Sequence, residues 1–342
     1  MVKFVILIWT ISMILSWEDN IKNRPDKKCI YSVILLGIIL VLIATFRSSA
    51  MPDWENYYNS FYFVSDLRFE PAFQLISTTI YSLNQSFITL LFVMALIGVS
   101  IKLWSILKLT NLIWSSIMVY ISNIFILHDM IQIRAAIASG ILLVALYYKI
   151  HKKLSYFIMC SIIAVMFHYS AIIIFPIWFI KLNNIDQKKY LLLIPLGYVI
   201  SISGLNISKI FSYIPIAEIQ MLLRIYSNSF DTHINVLNAM QLSRCIICVI
   251  FWIKVRKLAT IQPAIILFLK IYTIGLFIFV ALSDLPVAAF RISELLLIVE
   301  IILLPYIAFT FINKNIIYGK LVVASISMVF LLFNIFINQY LT

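Results

Sequence analysis

Charged residues are scarce in this sequence. They make up only 12% of the 342 residues, while hydrophobic residues make up 63%. An ordinary soluble domain carries roughly 25% charged residues, and no soluble fold could bury so much apolar surface. Because a helix needs about 20 apolar residues to cross a bilayer, this composition excludes a soluble domain and indicates a polytopic membrane protein.

Motifs that carry cofactor or metal chemistry are also lacking. The sequence has no phosphate-binding glycine loop, no HExxH pattern and no carboxylates spaced for a metal. All four cysteines lie in apolar runs, and Cys245 and Cys248 lack the second pair or the histidines that a zinc site needs. We therefore expect no metal and no cofactor. The formal charge of +12 is explained by membrane topology, so we expect no nucleic-acid partner.

Apolar runs separated by polar breaks predict an all-α polytopic membrane protein with about 12 transmembrane helices in a single transmembrane domain, residues 1–342. Several spans are short for a hydrocarbon layer of about 30 Å. The predicted spans are residues 2–16, 29–46, 86–107, 112–127, 135–149, 153–168, 170–181, 190–204, 241–254, 264–282, 294–312 and 319–338.

The stretch from Leu154 to Ile180 admits two interpretations, one long span or a hairpin with His168 at its tip. With a hairpin, 17 basic residues share one face, among them Lys102 and Lys108 in one loop. Eight lie on the other face, and Lys270 lies inside a span. A single crossing would distribute them almost evenly. Because the cytoplasmic side carries the basic excess, we predict the hairpin, with both termini on the outer side. The long outer loops are then 47–85 and 205–240, the second with an amphipathic surface helix near 215–226.

Lysine and arginine are sorted to opposite sides of the predicted topology. Of 18 lysines, 15 are cytoplasmic, whereas six of eight arginines are outside. Positive-inside pressure opposes outer arginines, and arginine in preference to lysine indicates bidentate contacts with carboxylate or phosphate. The outer arginines are Arg47, Arg68, Arg134, Arg224, Arg244 and Arg291.

Three of these arginines, Arg47, Arg134 and Arg291, each occur where an apolar span meets its outer loop. A guanidinium at that depth is costly unless it is paired or faces a wet cavity. The three together would form a diphosphate pocket. The alternative for each is structural pairing with an outer acid such as Glu70 or Asp129.

Candidate bases lie near the same face. His168 is an outer histidine in an apolar stretch, either a hydrogen-bonded core residue or a group that acts as a base. Asp53 lies among aromatic residues that include Tyr57, a composition shared by sugar-binding surfaces and by ordinary interfacial belts. Composition alone does not decide between these alternatives.

An ordered set of short motifs resembles the EpsG-like branch of the Wzy polysaccharide polymerases. The set covers residues 46–295 and lacks a glycine that often precedes the loop aspartate. Its members are Phe46-Arg47, Pro52-Asp53-Trp54, Tyr57-Tyr58, Glu70-Pro-Ala-Phe73, Gln132-Ile-Arg134-Ala-Ala-Ile-Ala138, Phe167-His168-Tyr-Ser-Ala171 and Phe290-Arg291.

The resemblance implies a metal-independent glycosyltransferase of GT-C-like architecture in the bacterial inner membrane, with its active site facing the periplasm. Such enzymes join oligosaccharide units carried on undecaprenyl diphosphate, which serves as both donor and acceptor, and a chain-length regulator protein is a further expected partner. The roles expected by this resemblance are diphosphate binding by Arg47, Arg134 and Arg291, a catalytic base among His168, Asp53 and Glu70, and substrate binding by Tyr57, Gln132 and Glu294.

Other functions stay open at the level of sequence. An O-antigen ligase would use the same donor, but its very long periplasmic loop is not evident. A flippase or transporter of lipid-linked oligosaccharide would place arginines along a cavity reachable from both faces, which the one-sided arginines disfavour. A purely structural membrane protein would leave those arginines unexplained.

Overall fold

The computed structural model describes residues 1–22, 24–63, 69–203, 234–311 and 316–337. Helix accounts for 81% of the structure, and the described ranges contain no strand. The prediction of an all-helical membrane protein is confirmed. The chain divides into two compact units, residues 1–178 with 300–342 and residues 179–299, and each is described by itself. The prediction of a single transmembrane domain stays a prediction.

The first unit contains most of the helices. They are α1 (Val2–Leu15), α2 (Lys27–Thr45), α3 (Trp54–Tyr62), α4 (Pro71–Ser82), α5 (Phe87–Leu109), α6 (Ile113–Val119) with a π-helical continuation (Tyr120–Asp129), α7 (Ile133–Ile150), α8 (Leu154–Phe167), a 3-10 turn (Tyr169–Ile173) and α9 (Ile174–Ile177). The second unit contributes α10 (Gln187–Ile202), α11 (Ala239–Ile261), α12 (Ile265–Ala281) and α13 (Pro286–Leu297). The chain then returns to the first unit with α14 (Glu300–Leu303), a 3-10 turn (Leu304–Ile307), α15 (Ala308–Phe311), α16 (Ile316–Leu332) and a π-helical end (Phe333–Ile337).

Local sequence explains several helix starts. Asp26 caps α2 by accepting the backbone N–H of Cys29 at 2.8 Å, and Asn238 caps α11 in the same way. Pro71 and Pro286 occupy the first turn of their helices, where the missing N–H costs nothing. Because of Pro286, the helix predicted to begin at 294 begins eight residues earlier.

Five described helices are long and apolar enough to cross a membrane: Lys27–Thr45, Phe87–Leu109, Ile133–Ile150, Pro286–Thr310 and Ile316–Phe336. Three shorter apolar helices are Ile113–Asp129, Leu154–Phe167 and Ile265–Ala281. The predicted spans 112–127, 153–168 and 264–282 therefore have helical counterparts. The predicted span 170–181 is instead a 3-10 turn (Tyr169–Ile173) followed by the four-residue helix α9. The total of about 12 spans stays a prediction.

In the first unit α5 packs against α2 and α7, and α7 packs against α8. Small residues set these approaches. A Cβ on Gly37 would lie 2.8 Å from the Leu103 side chain, and one on Gly98 would lie 2.7 Å from a carboxylate oxygen of Asp129. Glycine at position 98 is therefore what admits the Asp129 side chain between α5 and its neighbours.

Lys102 does not lie in a cytoplasmic loop, and its placement there was wrong. Helix α5 continues to Leu109, and the Lys102 ammonium lies 2.8 Å and 2.9 Å from the two carboxylate oxygens of Asp129. Tyr120 donates a third hydrogen bond to that carboxylate at 2.8 Å. The number of lysines assigned to the cytoplasmic side is thus lower by one. Lys102 is instead buried among the helices, where it pairs with a buried acid.

The chain reverses at His168, as the hairpin interpretation predicts. Helix α8 ends at Phe167, His168 is extended, and the following segment returns along α8. The ring of Trp178 lies 5.1 Å from that of Phe157 in the first turn of α8, and Trp178 accepts a hydrogen bond from Lys149 through its carbonyl. Both ends of the hairpin therefore lie at the Lys149 end of α7.

The second unit is built around α12, which packs against α10, α11 and α13. Thr273 in α12 accepts the indole N–H of Trp252 at 2.9 Å, and the Trp252 ring stacks on Tyr190 at 5.4 Å. These contacts help to fix the register of α10, α11 and α12, together with a hydrogen bond from the Gln241 side chain to the Leu276 carbonyl at 3.2 Å.

The two long outer loops differ in how much of them is described. The loop at 47–85 contains α3 and α4, which the sequence interpretation did not predict. Most of the loop at 205–240 lies outside the described residues, because 204–233 are not among them. The predicted surface helix at 215–226 therefore lies outside the described residues, as do Arg68 and Arg224.

Candidate functional site

Three segments of the first unit bring Glu70, Arg134 and His168 together. Glu70 immediately precedes α4, Arg134 is the second residue of α7, and His168 lies at the tip of the hairpin. The Glu70 carboxylate accepts a hydrogen bond from Arg134 Nη1 on one oxygen and contacts His168 Nδ1 at 3.0 Å on the other. Glu70 and His168 are buried, and the Arg134 side chain is 16% exposed.

The Glu70 carboxylate is ionised throughout the physiological range. Burial alone would raise its pKa, but the hydrogen bond from His168 and the charge of Arg134 lower the pKa to about 2. An ionised carboxylate can only accept hydrogen bonds. His168 Nδ1 is therefore the donor in this contact, and Nε2 is the nitrogen through which the neutral ring can take up a proton.

Aromatic rings surround the Arg134 guanidinium. Its central carbon lies 4.4 Å from the Phe69 ring centroid, 5.6 Å from that of Tyr57 and 6.0 Å from that of Phe73. Ring faces attract a guanidinium, and the carboxylate on one edge fixes its plane. Arg134 is thus held in one orientation, and its buried Nε makes no hydrogen bond to any described residue.

Arg47 lies at the end of α2 and is only 7% exposed. Its Nη1 donates to the backbone carbonyls of Met130 at 2.8 Å and Asp129 at 3.3 Å. Its Nε and Nη2 are buried without a hydrogen-bond partner in the part of the chain that the structure describes. Burial lowers the pKa of Arg47 to about 10, with opposing contributions from Tyr57 and Asp129. Arg47 is therefore still cationic at neutral pH, with two donors that an anion could accept.

The carbonyls that hold Arg47 belong to a helix end that the buried ion pair fixes. Lys102 and Asp129 are both fully buried, and Tyr120 completes the contacts of the carboxylate. A buried pair of this kind is stable only when its hydrogen bonds are well formed. The Asp129 side chain thus fixes its own backbone, which in turn fixes Arg47.

The remaining candidates of the first unit lie beside this cluster. Asp53 is exposed, has a left-handed backbone with φ 62° and accepts a weak hydrogen bond from Asn56 at 3.4 Å. Its charge acts on Arg47. Tyr57 is 2% exposed, so its ring supports Arg134 instead of forming an open surface. Gln132 is the residue before α7 and is partly buried two positions from Arg134.

Arg291 and Glu294 belong to the second unit. Both lie in α13, three residues apart and partly buried, so they share one face of that helix. Arg291 lies inside the helix and not at a junction between span and loop, because α13 begins at Pro286. Their expected roles in diphosphate and substrate binding stay predictions.

The structure decides one alternative and adds one feature that the sequence interpretation missed. Pairing of Arg134 with an outer acid, which the sequence left open as an alternative to a diphosphate pocket, is what the structure shows. Phe69 and Phe73 were not assigned a role, although aromatic residues on both sides of Glu70 were a visible signal for a cation site. Among the described residues no group of three or more His, Cys, Asp or Glu is placed to hold a metal ion, and the expectation of metal independence stays a prediction.

Five described helices long and apolar enough to span a bilayer, with Arg134, Glu70 and His168 in contact in the first unit, indicate a polytopic membrane protein. The chain belongs to the EpsG family, whose model matches residues 30–342, and the resemblance seen in the motifs is confirmed. It is thus a membrane protein of the polysaccharide-polymerase type. No curated protein and no solved structure matches the chain.

Proposed function

We propose that this protein is a membrane glycosyltransferase that polymerises oligosaccharide units carried on undecaprenyl diphosphate, at the periplasmic face of the bacterial inner membrane. About 12 spans, a GT-C-like architecture and independence of metals and cofactors belong to this proposal. One observation carries it: Arg134 and His168 contact the same Glu70 carboxylate, which sets the tautomer of the histidine. Among the described residues, Nε of Arg134 and both Nε and Nη2 of Arg47 are buried without a hydrogen-bond partner.

The arginines suit the leaving group. When the growing chain is transferred, the bond between its anomeric carbon and the lipid diphosphate breaks, and negative charge develops on the diphosphate. Nε and Nη2 of Arg47 and Nε of Arg134 are fixed donors that would stabilise that charge more strongly than the ground state. The role of Arg291 in diphosphate binding stays a prediction from the sequence.

The base is assigned to His168. The acceptor hydroxyl must lose a proton as its oxygen attacks the anomeric carbon, and a group with a free-solution pKa near neutrality suits this step. Glu70, with a pKa of about 2, is too weak a base at neutral pH, so its role is to hold Nδ1 and direct Nε2. Asp53 and Gln132 are proposed to contact the saccharide, and the substrate-binding role of Glu294 stays a prediction from the sequence.

Complementation tests the proposal. The chain is expressed in a strain that lacks its own polymerase and surface polysaccharide is resolved on a gel. A ladder of many lengths is expected, and single-unit product in the presence of correctly inserted protein would overturn the proposal. The same strain is also tested with a double variant, Arg47→Lys with Arg134→Lys, which should give only single-unit product. Lysine keeps the positive charge but lacks the planar guanidinium, which can donate hydrogen bonds along two of its edges.

A further inference from the structure

An apolar groove of about 470 Å³ lies between α2 and α5. This volume falls within the range of about 300–1,000 Å³ typical of ligand pockets. The groove runs along α2 from Ile30 to Leu42, which corresponds to about 18 Å of helix. It is lined by Ile34, Ile38 and Val41 of α2 and by Phe92, Leu96 and Trp104 of α5, among others.

The groove ends close to Arg47 in the chain. Its last lining residue on α2 is Leu42, three residues or about 4.5 Å of helical rise before α2 ends at Thr45, and Arg47 follows two residues later. The Arg47 side chain is more than nine-tenths buried, and its Nε and Nη2 have no hydrogen-bond partner among the described residues. An apolar surface and a cation with two unsatisfied donor nitrogens thus lie at the same end of α2.

Glycine 37 determines the depth of this groove. A Cβ there would lie 2.8 Å from the Leu103 side chain, so the missing side chain allows α2 to approach α5 closely at the floor of the groove. The lining is apolar apart from Ser100, which is exposed. A lipid chain, and not a saccharide, is the chemistry that such a surface accepts.

We infer that this groove binds the isoprenoid chain of a lipid diphosphate whose head group reaches Arg47. The inference rests on the proposed function, because it places the lipid part of the same donor. A diphosphate head satisfies the two free N–H groups, and the chain that follows it must leave along an apolar surface. The groove beside α2 is such a surface at the end of the helix that carries Arg47.

Photo-crosslinking tests the inference with a matched pair of positions. Ile38 lines the groove and is 54% exposed, whereas Leu35 is 62% exposed on α2 outside the groove. Benzoylphenylalanine is placed at either position in the full chain, which is reconstituted in phosphatidylglycerol and phosphatidylethanolamine vesicles with radiolabelled undecaprenyl diphosphate. Labelling at 38 should exceed labelling at 35 by about fivefold or more, corresponding to about 1 kcal/mol. Unlabelled undecaprenyl diphosphate should compete, and added phosphatidic acid should not.

Equal labelling at both positions, or equal competition by phosphatidic acid, would overturn the inference and leave bulk phospholipid as the occupant. A second variant, Ser100→Phe, fills the groove, with Ile88→Phe on the exposed part of α5 as its control. Ser100→Phe should raise the half-saturating donor concentration about tenfold, and Ile88→Phe should not change it; equal effects would also overturn the inference. Specific labelling without polymer formation would refute the proposed function alone, while polymer formation with unspecific labelling would refute the groove alone.

Discussion

Glu70 and His168, 98 residues apart in the sequence, are in contact, with 3.0 Å between Nδ1 and the carboxylate. The contact depends on two local features. Pro71 starts α4 directly after Glu70, and the chain leaves helical geometry at His168 before it turns back along α8. The contact makes one ring nitrogen a donor and directs the other, so it gives each residue of the pair a distinct role in the proposed reaction.

His168 and Asp53 can be separated by kinetics. His168→Ala should lower the rate of polymerisation by about 10²–10⁴, the usual contribution of a general base. Asp53→Asn should remain within about tenfold of the original rate, because Asp53 is exposed and has no contact with His168 in the described cluster. Initial rates of ladder formation measure both. Loss of activity in Asp53→Asn with full activity in His168→Ala would assign the base to the aspartate.

Arg134→Lys should reduce polymer formation by about 10²–10³, as expected when one oriented donor to a developing anion is lost. Lysine keeps a positive charge near Glu70. Its ammonium group cannot contact the carboxylate along one edge and a diphosphate along another, as the planar guanidinium can. The control is Arg256→Lys in α11, an exposed arginine. The measurement is the amount of polymer divided by the amount of inserted protein. Equal values for the two variants would contradict a role for the Arg134 guanidinium.

The Arg47→Lys variant should bind pyrophosphate more weakly but keep its thermal stability. A lysine ammonium can still donate to the carbonyls of Asp129 and Met130, so the melting temperature in detergent should change little. The lost Nε and Nη2 donors should weaken binding of inorganic pyrophosphate by about tenfold or more. Calorimetric titration gives the affinity. An unchanged affinity would show that Arg47 serves only to join α2 to the end of the π-helical segment.

The stability of the protein should decrease at low pH because the Glu70 carboxylate becomes protonated. Its pKa is lowered from the ordinary value of 4.5 to about 2, so its contribution to folding is fully present above pH 4.5 and is lost as pH falls through about 2. The shift corresponds to about 3 kcal/mol. The melting temperature of the unmodified chain should exceed that of Glu70→Gln at about pH 6 and converge with it toward about pH 2. A difference that stays constant over this range would contradict the contact.

The buried pair of Lys102 and Asp129 should show strong coupling. Either Lys102→Met or Asp129→Asn alone leaves a buried charge without its partner, at a cost of about 3–5 kcal/mol. The double variant removes both charges and should be more stable than either single variant. Denaturation in detergent measures the cycle. Additive losses in the double variant would mean that the two residues do not stabilise one another.

Some of this structure could be predicted from the sequence and some could not. The helices could be predicted because apolar runs are a local feature of the sequence. The reversal at His168 could be predicted because it alone places most basic residues of the whole chain on one face. The partner of Arg134 could not be chosen among several outer acids, since Glu70 reaches it only through the packing of α4 and α8. Lys102 was placed wrongly because positive-inside counting assigns lysine by loop, and a single buried acid can override that tendency.

The central claim is that the arginines and His168 act on a lipid diphosphate to extend a saccharide chain. The most direct measurement uses the purified chain in liposomes with undecaprenyl-diphosphate-linked oligosaccharide as the only substrate. Saccharide length and released undecaprenyl diphosphate are followed together. The account predicts a ladder with one diphosphate lipid released per bond formed, abolished in the variant with both Arg47→Lys and Arg134→Lys. A ladder that persists in that variant, or no ladder from the folded, inserted protein, would contradict it.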